Sequence, residues 1–310
     1  MIPARKPNVF KRVRRTLFNK KDDRFEDRYT IGELINKGAQ GSVYKAYRVG
    51  GCTMNDHQPP LAVKIITRKG LSEQDEKQIY READIMKELS EESGSCHANK
   101  IVDFFVSSKK FHIVQELALG GDVCDWVATN GAYDEDDARE FATILFVTID
   151  YYHSRGIVHR DLKAENLLLK DKLNTSIQIA DWGHASRLDT ELSQKRGTPP
   201  YMAPEMVKGD EYDEKVDNWS AGCLLYWILC RRHAFRGEDD KETYAKIQNG
   251  EFKFRGSAWR TISDDAKECI VGLLTVDPSK RWTAKQVLEC SWIRGSIRSR
   301  ASSSLVLAAQ

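Results

Sequence analysis

The sequence predicts an α+β fold of two lobes, a small antiparallel β-rich lobe with one main helix followed by a larger α-helical lobe. Three observations carry this. From Tyr29 to Ile66 the chain is strand-like and punctuated by Gly38 and Gly41. Residues 72–90 switch to helical spacing, with Ile79, Ala83, Met86 and Leu89 at i, i+4, i+7 and i+10. Beyond Gly120-Gly121 that spacing dominates, over 138–155, 216–231 and 264–290. The chain divides into a basic N-terminal extension (1–28), a folded domain (29–293) and a C-terminal tail (294–310). Within the domain the β-rich lobe covers 29–117, a hinge 116–121 and the helical lobe 122–293.

Taken in order, the extension carries eight basic and no acidic side chains over residues 1–21, with Val9, Val13 and Leu17 at i, i+4 and i+8. Such a basic amphipathic stretch (9–18) suits an anionic membrane surface, calmodulin or an organelle importer, although a disordered, solvated tail is the favoured reading. A long connection from Gly50 to Pro60 precedes the strand Leu61–Ile66. Two further strands are expected at Ile101–Val106 and Phe111–Leu117. The apolar run Ala221–Cys230 is too short to span a membrane and reads as a buried helix.

At 310 residues with 41% hydrophobic and 30% charged side chains, the chain has the balance of a globular protein with a full core. Its 48 basic and 46 acidic residues exclude a whole surface built for nucleic acid. The seven cysteines are scattered, without a C-x-x-C pair, and read as free thiols in a reducing compartment. An intracellular, cytoplasmic monomer is expected, with an organelle address in the basic N-terminus left open.

Several residues point to chemistry. The strand's two-residue period places Ala62, Lys64 and Ile66 on one face, so Lys64 needs a counter-charge. Glu82 lies inside the apolar stripe of the 72–90 helix and supplies it. Asn36-Lys37-Gly38-Ala39-Gln40-Gly41-Ser42-Val43 sits between two strands, where glycines let a backbone approach a phosphate; alone, such a loop also serves as a hairpin turn. The most specific segment is His159-Arg160-Asp161-Leu162-Lys163-Ala164-Glu165-Asn166, followed by Asp181-Trp182-Gly183.

Here the chain resembles the eukaryotic protein kinase family, with its H-R-D-L-x-x-x-N loop and D-F-G turn, over about residues 29–293. Ala203-Pro204-Glu205, Asp217 and Arg281 follow in the family's order. The resemblance implies a two-lobed kinase fold and transfer of the γ-phosphate of Mg-ATP to Ser/Thr hydroxyls. It implies that Lys64, held by Glu82, binds the α- and β-phosphates and that Asp161 receives or orients the substrate hydroxyl proton. Lys163 is placed beside the γ-phosphate, and Asn166 and Asp181 as ligands of Mg²⁺. Asn36, Gly38 and Gly41 form the phosphate loop. Val43, Ala62 and Leu168 enclose the adenine, the backbones of Glu116 and Ala118 bond its edge, and Gln115 gates the space behind it. Glu205 is expected to pair with Arg281, and Asp217 to anchor the catalytic loop.

Lys163 and Gly197-Thr198-Pro199 match serine/threonine rather than tyrosine kinases. The stretch Trp259 to Ile293, with Asp277-Pro278 and Lys280-Arg281, looks like the calcium/calmodulin-dependent kinase group, and Ala164 in place of the commoner proline occurs in its microtubule-affinity-regulating members. With no EF-hand loop, calcium is not bound directly. The chain departs from the family at Asn36 (for glycine), Trp182 (for phenylalanine), Gln194 (for a phosphorylated threonine) and His233-Ala234-Phe235. Thr190 and Ser193 remain as hydroxyls in the loop after Asp181. Asp122 and Glu165 match positions that read a substrate arginine, whereas Trp227 stands where some such kinases carry another acid. Arg300-Ala301-Ser302-Ser303 suits autophosphorylation or a pseudosubstrate. A pseudokinase, binding partners through the same fold, is the competing reading.

Overall fold

The computed structural model describes residues 24–38, 41–50, 59–91, 97–171, 175–190, 192–193 and 196–295. The basic stretch 9–18, Gln194, Cys52, Cys96 and residues 300–303 lie outside the described residues. The chain separates into two compact units, one ending at Ala118 and the other beginning at Leu119, apart from residues 94–97, which go with the second.

In the first unit a short helix α1 (Phe25–Arg28) leads into a five-stranded antiparallel sheet of order β1-β2-β3-β5-β4. Its strands are β1 (Tyr29–Gly38), β2 (Gly41–Arg48), β3 (Leu61–Thr67), β4 (Ile101–Val106) and β5 (Lys110–Glu116). The register sets Val43 against Lys64, and Ala62 against Gln115. Period-two alternation therefore splits β3 as expected: Leu61, Val63 and Ile65 join Phe25, Tyr29, Ala46, Phe105 and Val114 in one core, and Lys64 faces the other way. Helix α2 (Glu73–Glu91) starts where Ser72 and Asp75 satisfy each other's amides, at 2.9 and 3.2 Å. It buries Ile79, Ala83, Met86 and Leu89, the predicted stripe, together with Glu82.

The second unit runs through α3 (Val123–Asn130), α4 (Glu135–His153), β6 (Ile157–Val158), β7 (Leu167–Leu169), β8 (Ile177–Ile179) and β9 (Ser186–Arg187). It continues through α5 (Pro204–Lys208), α6 (Lys215–Cys230), α7 (Asp240–Asn249), α8 (Asp264–Leu273) and α9 (Ala284–Glu289). Strand β6 pairs with β9 and β7 with β8, both antiparallel, and these two small ribbons bracket the segments that carry the candidate residues. Helix α6 is buried on nearly every side, as its unbroken apolar run predicts.

The run 264–290, read as helical spacing, holds two helices. Asp277-Pro278 interrupts it, because proline cannot donate to the ladder and Asp277 instead turns the chain, its carboxylate accepting from the Ser279 N–H and Oγ at 3.0 and 2.7 Å. Among the described residues no helix is long and apolar enough to cross a membrane. The described cysteines Cys124, Cys223, Cys230, Cys269 and Cys290 are free thiols.

Candidate active site

In the sheet unit, β3 and α2 bring Lys64 Nζ within 2.7 Å of Glu82 Oε1, with side chains only 12% and 4% exposed. Burial of either charge alone would be costly, so each stabilises the other's position, and the ammonium is fixed on the face of β3 opposite the core. Ala62 is buried on that same face, two residues away. Gly41 opens β2 at φ +150°, and a Cβ there would lie 2.4 Å from the Ile65 carbonyl oxygen, so only glycine fits. Asn36 needs no left-handed backbone: it lies in β1 opposite Val43. Asn36 is thus accommodated in a paired position, just past an irregularity in the register between Leu34 and Asn36. At the end of β5 the Glu116 N–H donates to the Lys100 carbonyl at 2.9 Å, fixing the strand exit that leads to Ala118.

In the helical unit the segment between β6 and β7 carries Asp161, Lys163 and Asn166. Lys163 Nζ lies 3.1 Å from Asp161 Oδ2 and donates to Thr198 Oγ1 at 3.0 Å, and Thr198 donates onward to Asp161 Oδ1 at 2.9 Å. Both oxygens of the carboxylate are thereby oriented. The Asn166 amide NH2 donates to the Asp161 carbonyl at 2.8 Å, which commits its nitrogen and presents its oxygen as the donor atom for a cation. Thr198 sits 37 residues from Asp161 and was read from the sequence only as part of a serine/threonine signature; its bridging role depends on tertiary placement. Gly197 beside it has φ +108°, and a Cβ would stand 3.0 Å from the Arg160 carbonyl oxygen.

The backbone under these residues is strained and tightly tied. Arg160 and Asp181 have φ of 70° and 55°, the left-handed region that costs ordinary residues about 1–2 kcal/mol. Asp217, at the start of α6 and fully buried, opposes that cost. It accepts from the N–H groups of His159 and Arg160, both at 2.8 Å, and from Tyr152 Oη and His153 Nε2, both at 3.0 Å. Burial pushes its carboxyl up, but the hydrogen bond and charge of His153, aided by His159, more than offset this and hold it below the usual carboxylate range. His159 Nε2 donates to the Ala180 carbonyl at 3.0 Å, so its Nδ1 accepts the Asp161 N–H at 3.3 Å and links the loop to the strand preceding Asp181.

Trp182 accommodates the departure from phenylalanine by packing. It is fully buried against Tyr152 and His159, with ring centroids 5.3 and 4.8 Å away, and its indole N–H donates to the Ile179 carbonyl at 3.3 Å. Arg160 Nε donates to the His184 carbonyl at 2.7 Å, and Nη1 reaches Tyr212 Oη at 3.4 Å. His184, which the sequence reading did not single out, is half-buried near Asp161 and Asp181. Burial holds its pKa below the ordinary histidine value despite those carboxylates. Leu168 lies on β7, half-buried. Deeper in the unit, Arg281 makes a two-pronged pair with Glu205 at 2.6 and 2.9 Å, as the order of the motifs implied.

Asp122, half-buried, caps α3 and accepts the Asp125 N–H at 2.8 Å. Its carboxyl is held above the ordinary value by burial, with the negative charges of Asp125 and Glu165 adding to the effect. Trp227 stacks on His233 at 6.4 Å, and the edge of Tyr201 meets the same imidazole at 5.6 Å.

A profile for the protein kinase domain matches residues 29–293. Among curated proteins, a probable myosin light chain kinase of Dictyostelium discoideum is 35% identical over 291 residues, which is 92% of this chain and 70% of the relative. Serine/threonine-protein kinase 33 of Bos taurus is 31% identical over 90% of this chain and 58% of its own. A calcium/calmodulin-dependent protein kinase of Metarhizium anisopliae is 33% identical over 87% and 68%. The chain spans about half the length of several other curated relatives that it matches. With the matched span containing every residue of the two sets just described, the chain belongs to the protein kinase family, on its serine/threonine side.

Proposed function

We propose that the chain transfers the γ-phosphoryl group of Mg-ATP to serine and threonine hydroxyls of protein substrates. The observation that carries this is the Asp161–Lys163–Thr198 cluster with Asn166 beneath it. Phosphoryl transfer needs charge placement more than covalent chemistry. Asp161, with both carboxylate oxygens oriented, accepts the hydroxyl proton as the nucleophile attacks, and Lys163 offsets charge on the transferred group. Asn166 and Asp181 suit Mg²⁺, a hard cation that takes carboxylate and amide oxygens and keeps waters and phosphate oxygens for its remaining positions. Bound there, the ion would neutralise phosphate charge. Lys64, steadied by Glu82, holds the α- and β-phosphates under the loop of Asn36, Gly38 and Gly41. The adenine lies among Val43, Ala62 and Leu168, with the Glu116 and Ala118 backbones at its edge.

Two features refine the reading. The Arg160 guanidinium already bonds the His184 carbonyl, which supports activity without a phosphate on the loop after Asp181. The mutually reinforcing charges of Asp122 and Glu165 support a preference for arginine ahead of the acceptor residue. The name of the Metarhizium relative, a calcium/calmodulin-dependent kinase, supports calmodulin as a partner, and the basic, amphipathic pattern of residues 9–18 supports either calmodulin or an anionic membrane as what that stretch meets.

The test is transfer from Mg-ATP to an arginine-directed serine peptide and to a random peptide pool, for the intact chain and Asp161→Asn. Loss of a general base typically costs about 10²–10⁴-fold. Transfer that survives undiminished in the variant overturns the assignment of Asp161. A folded chain that transfers to neither substrate and fails to bind ATP points instead to a scaffold.

A further inference from the structure

The core on the outer face of the sheet does not end where its cover ends. Phe25 of α1 belongs to that core and is 3% exposed, stacked on His112 with ring centroids 4.4 Å apart, so the last turn of the basic extension already lies on this face. Toward β1 the pairs Ile31–Ala46 and Leu34–Tyr44 carry this face onward, across a register irregularity between Ile31 and Leu34. Ala46 is fully buried and Tyr44 packs against the core, yet Ile31 and Leu34 beside them are 47% and 53% exposed. Apolar side chains that extend a core into solvent on one face of an edge strand leave a strip without a cover.

The chain itself holds a matching segment. Residues 1–23 join the fold at Arg24, and so enter on this face through Phe25. Val9, Val13 and Leu17 recur every four residues, with Phe10 and Phe18 beside them, while Lys11, Arg12, Arg14 and Arg15 fill the intervening positions. A stripe of this kind gains by covering apolar surface and keeps its cations in water.

We propose that residues 9–18 dock in cis on the outer face of β1 and β2, their apolar stripe covering Ile31, Leu34 and Tyr44. The segment is then a continuation of the cap begun by Phe25. The strand it covers leads directly into the phosphate loop at Asn36–Gly41, so docking steadies the hairpin that carries that loop. Calmodulin or an anionic membrane would have to compete with the sheet for the same stripe.

The test uses the full chain with a photoreactive benzoylphenylalanine at position 17, irradiated at low and high protein concentration. The expected adducts map to residues 29–48, within one chain, at a yield independent of concentration. Leu34→Asp removes them; being half-exposed, Leu34 can be replaced without unfolding the sheet. Amide exchange over 29–48 is read in parallel. Val13→Asp with Leu17→Asp, placed outside the kinase domain, is expected to speed it by about ten-fold, the effect of uncovering roughly one apolar side chain. Adducts elsewhere in the chain, adducts between chains that grow with concentration, or no adduct at all would each overturn the proposal. Unchanged exchange in the double variant would do the same. Adducts that form only once anionic vesicles or calmodulin are added, and map to them, would assign the stripe to that partner.

Discussion

In the sheet unit the functional charge pair is built from two separate elements, β3 and α2, whose side chains reach across to meet at 2.7 Å. In the helical unit the corresponding work is done by one buried carboxylate, Asp217, onto which two backbone amides, a tyrosine and a histidine converge within 3.0 Å. The first arrangement is opened by moving a helix, which breaks the Lys64–Glu82 pair. The second cannot loosen without freeing several buried donors together, each costing about 1–3 kcal/mol when left unsatisfied. The segment that carries Asp161, with its strained Arg160, is therefore held firmly, whereas the position of Lys64 depends on where α2 sits.

This difference is broken most severely by Arg281→Met. The Arg281 side chain is fully buried, and its loss leaves Glu205 charged and unpaired in the helical unit, for which about 3–5 kcal/mol is expected. Urea unfolding checks this, and a loss below 1 kcal/mol would show that water reaches Glu205.

Asp217→Asn comes next. Substituting an amide for a charged acceptor costs about 1.5–3 kcal/mol, and it changes the acid limb of the stability profile. The native carboxyl is held below its unfolded value, so its contribution is complete above the ordinary carboxylate range and fades as pH falls through the depressed folded value. The variant's disadvantage should therefore shrink toward low pH; a constant difference from pH 7 to pH 3 would contradict this.

Lys64→Met tests the other side. Glu82 keeps its place in the α2 stripe but loses its counter-charge, for an expected cost of about 1–3 kcal/mol, smaller than in the helical unit because α2 can shift to let the carboxylate reach water. Phosphoryl transfer should fall far more than stability does. Equal loss of both would make Lys64 a structural residue alone.

Much of this contrast was legible beforehand. Glu82 inside an apolar stripe, with Lys64 on a strand, predicted the pair from periodicity alone. Asp217 and Glu205–Arg281 came from the order of motifs, and no periodicity would have found them. Thr198 escaped as a bridging group because its partners are 35 and 37 residues distant and meet only when the chain folds. Helices α3 and α7 are short and weakly periodic, yet each opens with an aspartate that caps it, Asp122 and Asp239, both accepting at 2.8 Å. That capping signal was readable. The run 264–290 shows the converse: apolar spacing continues through a proline that the helical backbone does not follow.

The smallest predicted effect lies in the sheet unit and concerns acid. His112 is buried, its ring stacked 4.4 Å from Phe25, and its Nδ1 has no hydrogen-bond partner among the described residues. Burial lowers its pKa; Glu26 works against this and Lys110 with it. The unfolded chain binds a proton near the ordinary histidine value of about 6.5, whereas the folded chain resists until lower pH. Stability should therefore fall as pH drops below that value, and level off once the folded imidazole is also charged. His112→Phe keeps the stack and removes the titration, so the variant should lose less stability than the native chain between pH 7 and pH 5, by under about 1 kcal/mol. Parallel loss in both proteins would move the acid response to the helical unit, where burial likewise lowers the pKa of His97, His184 and His233.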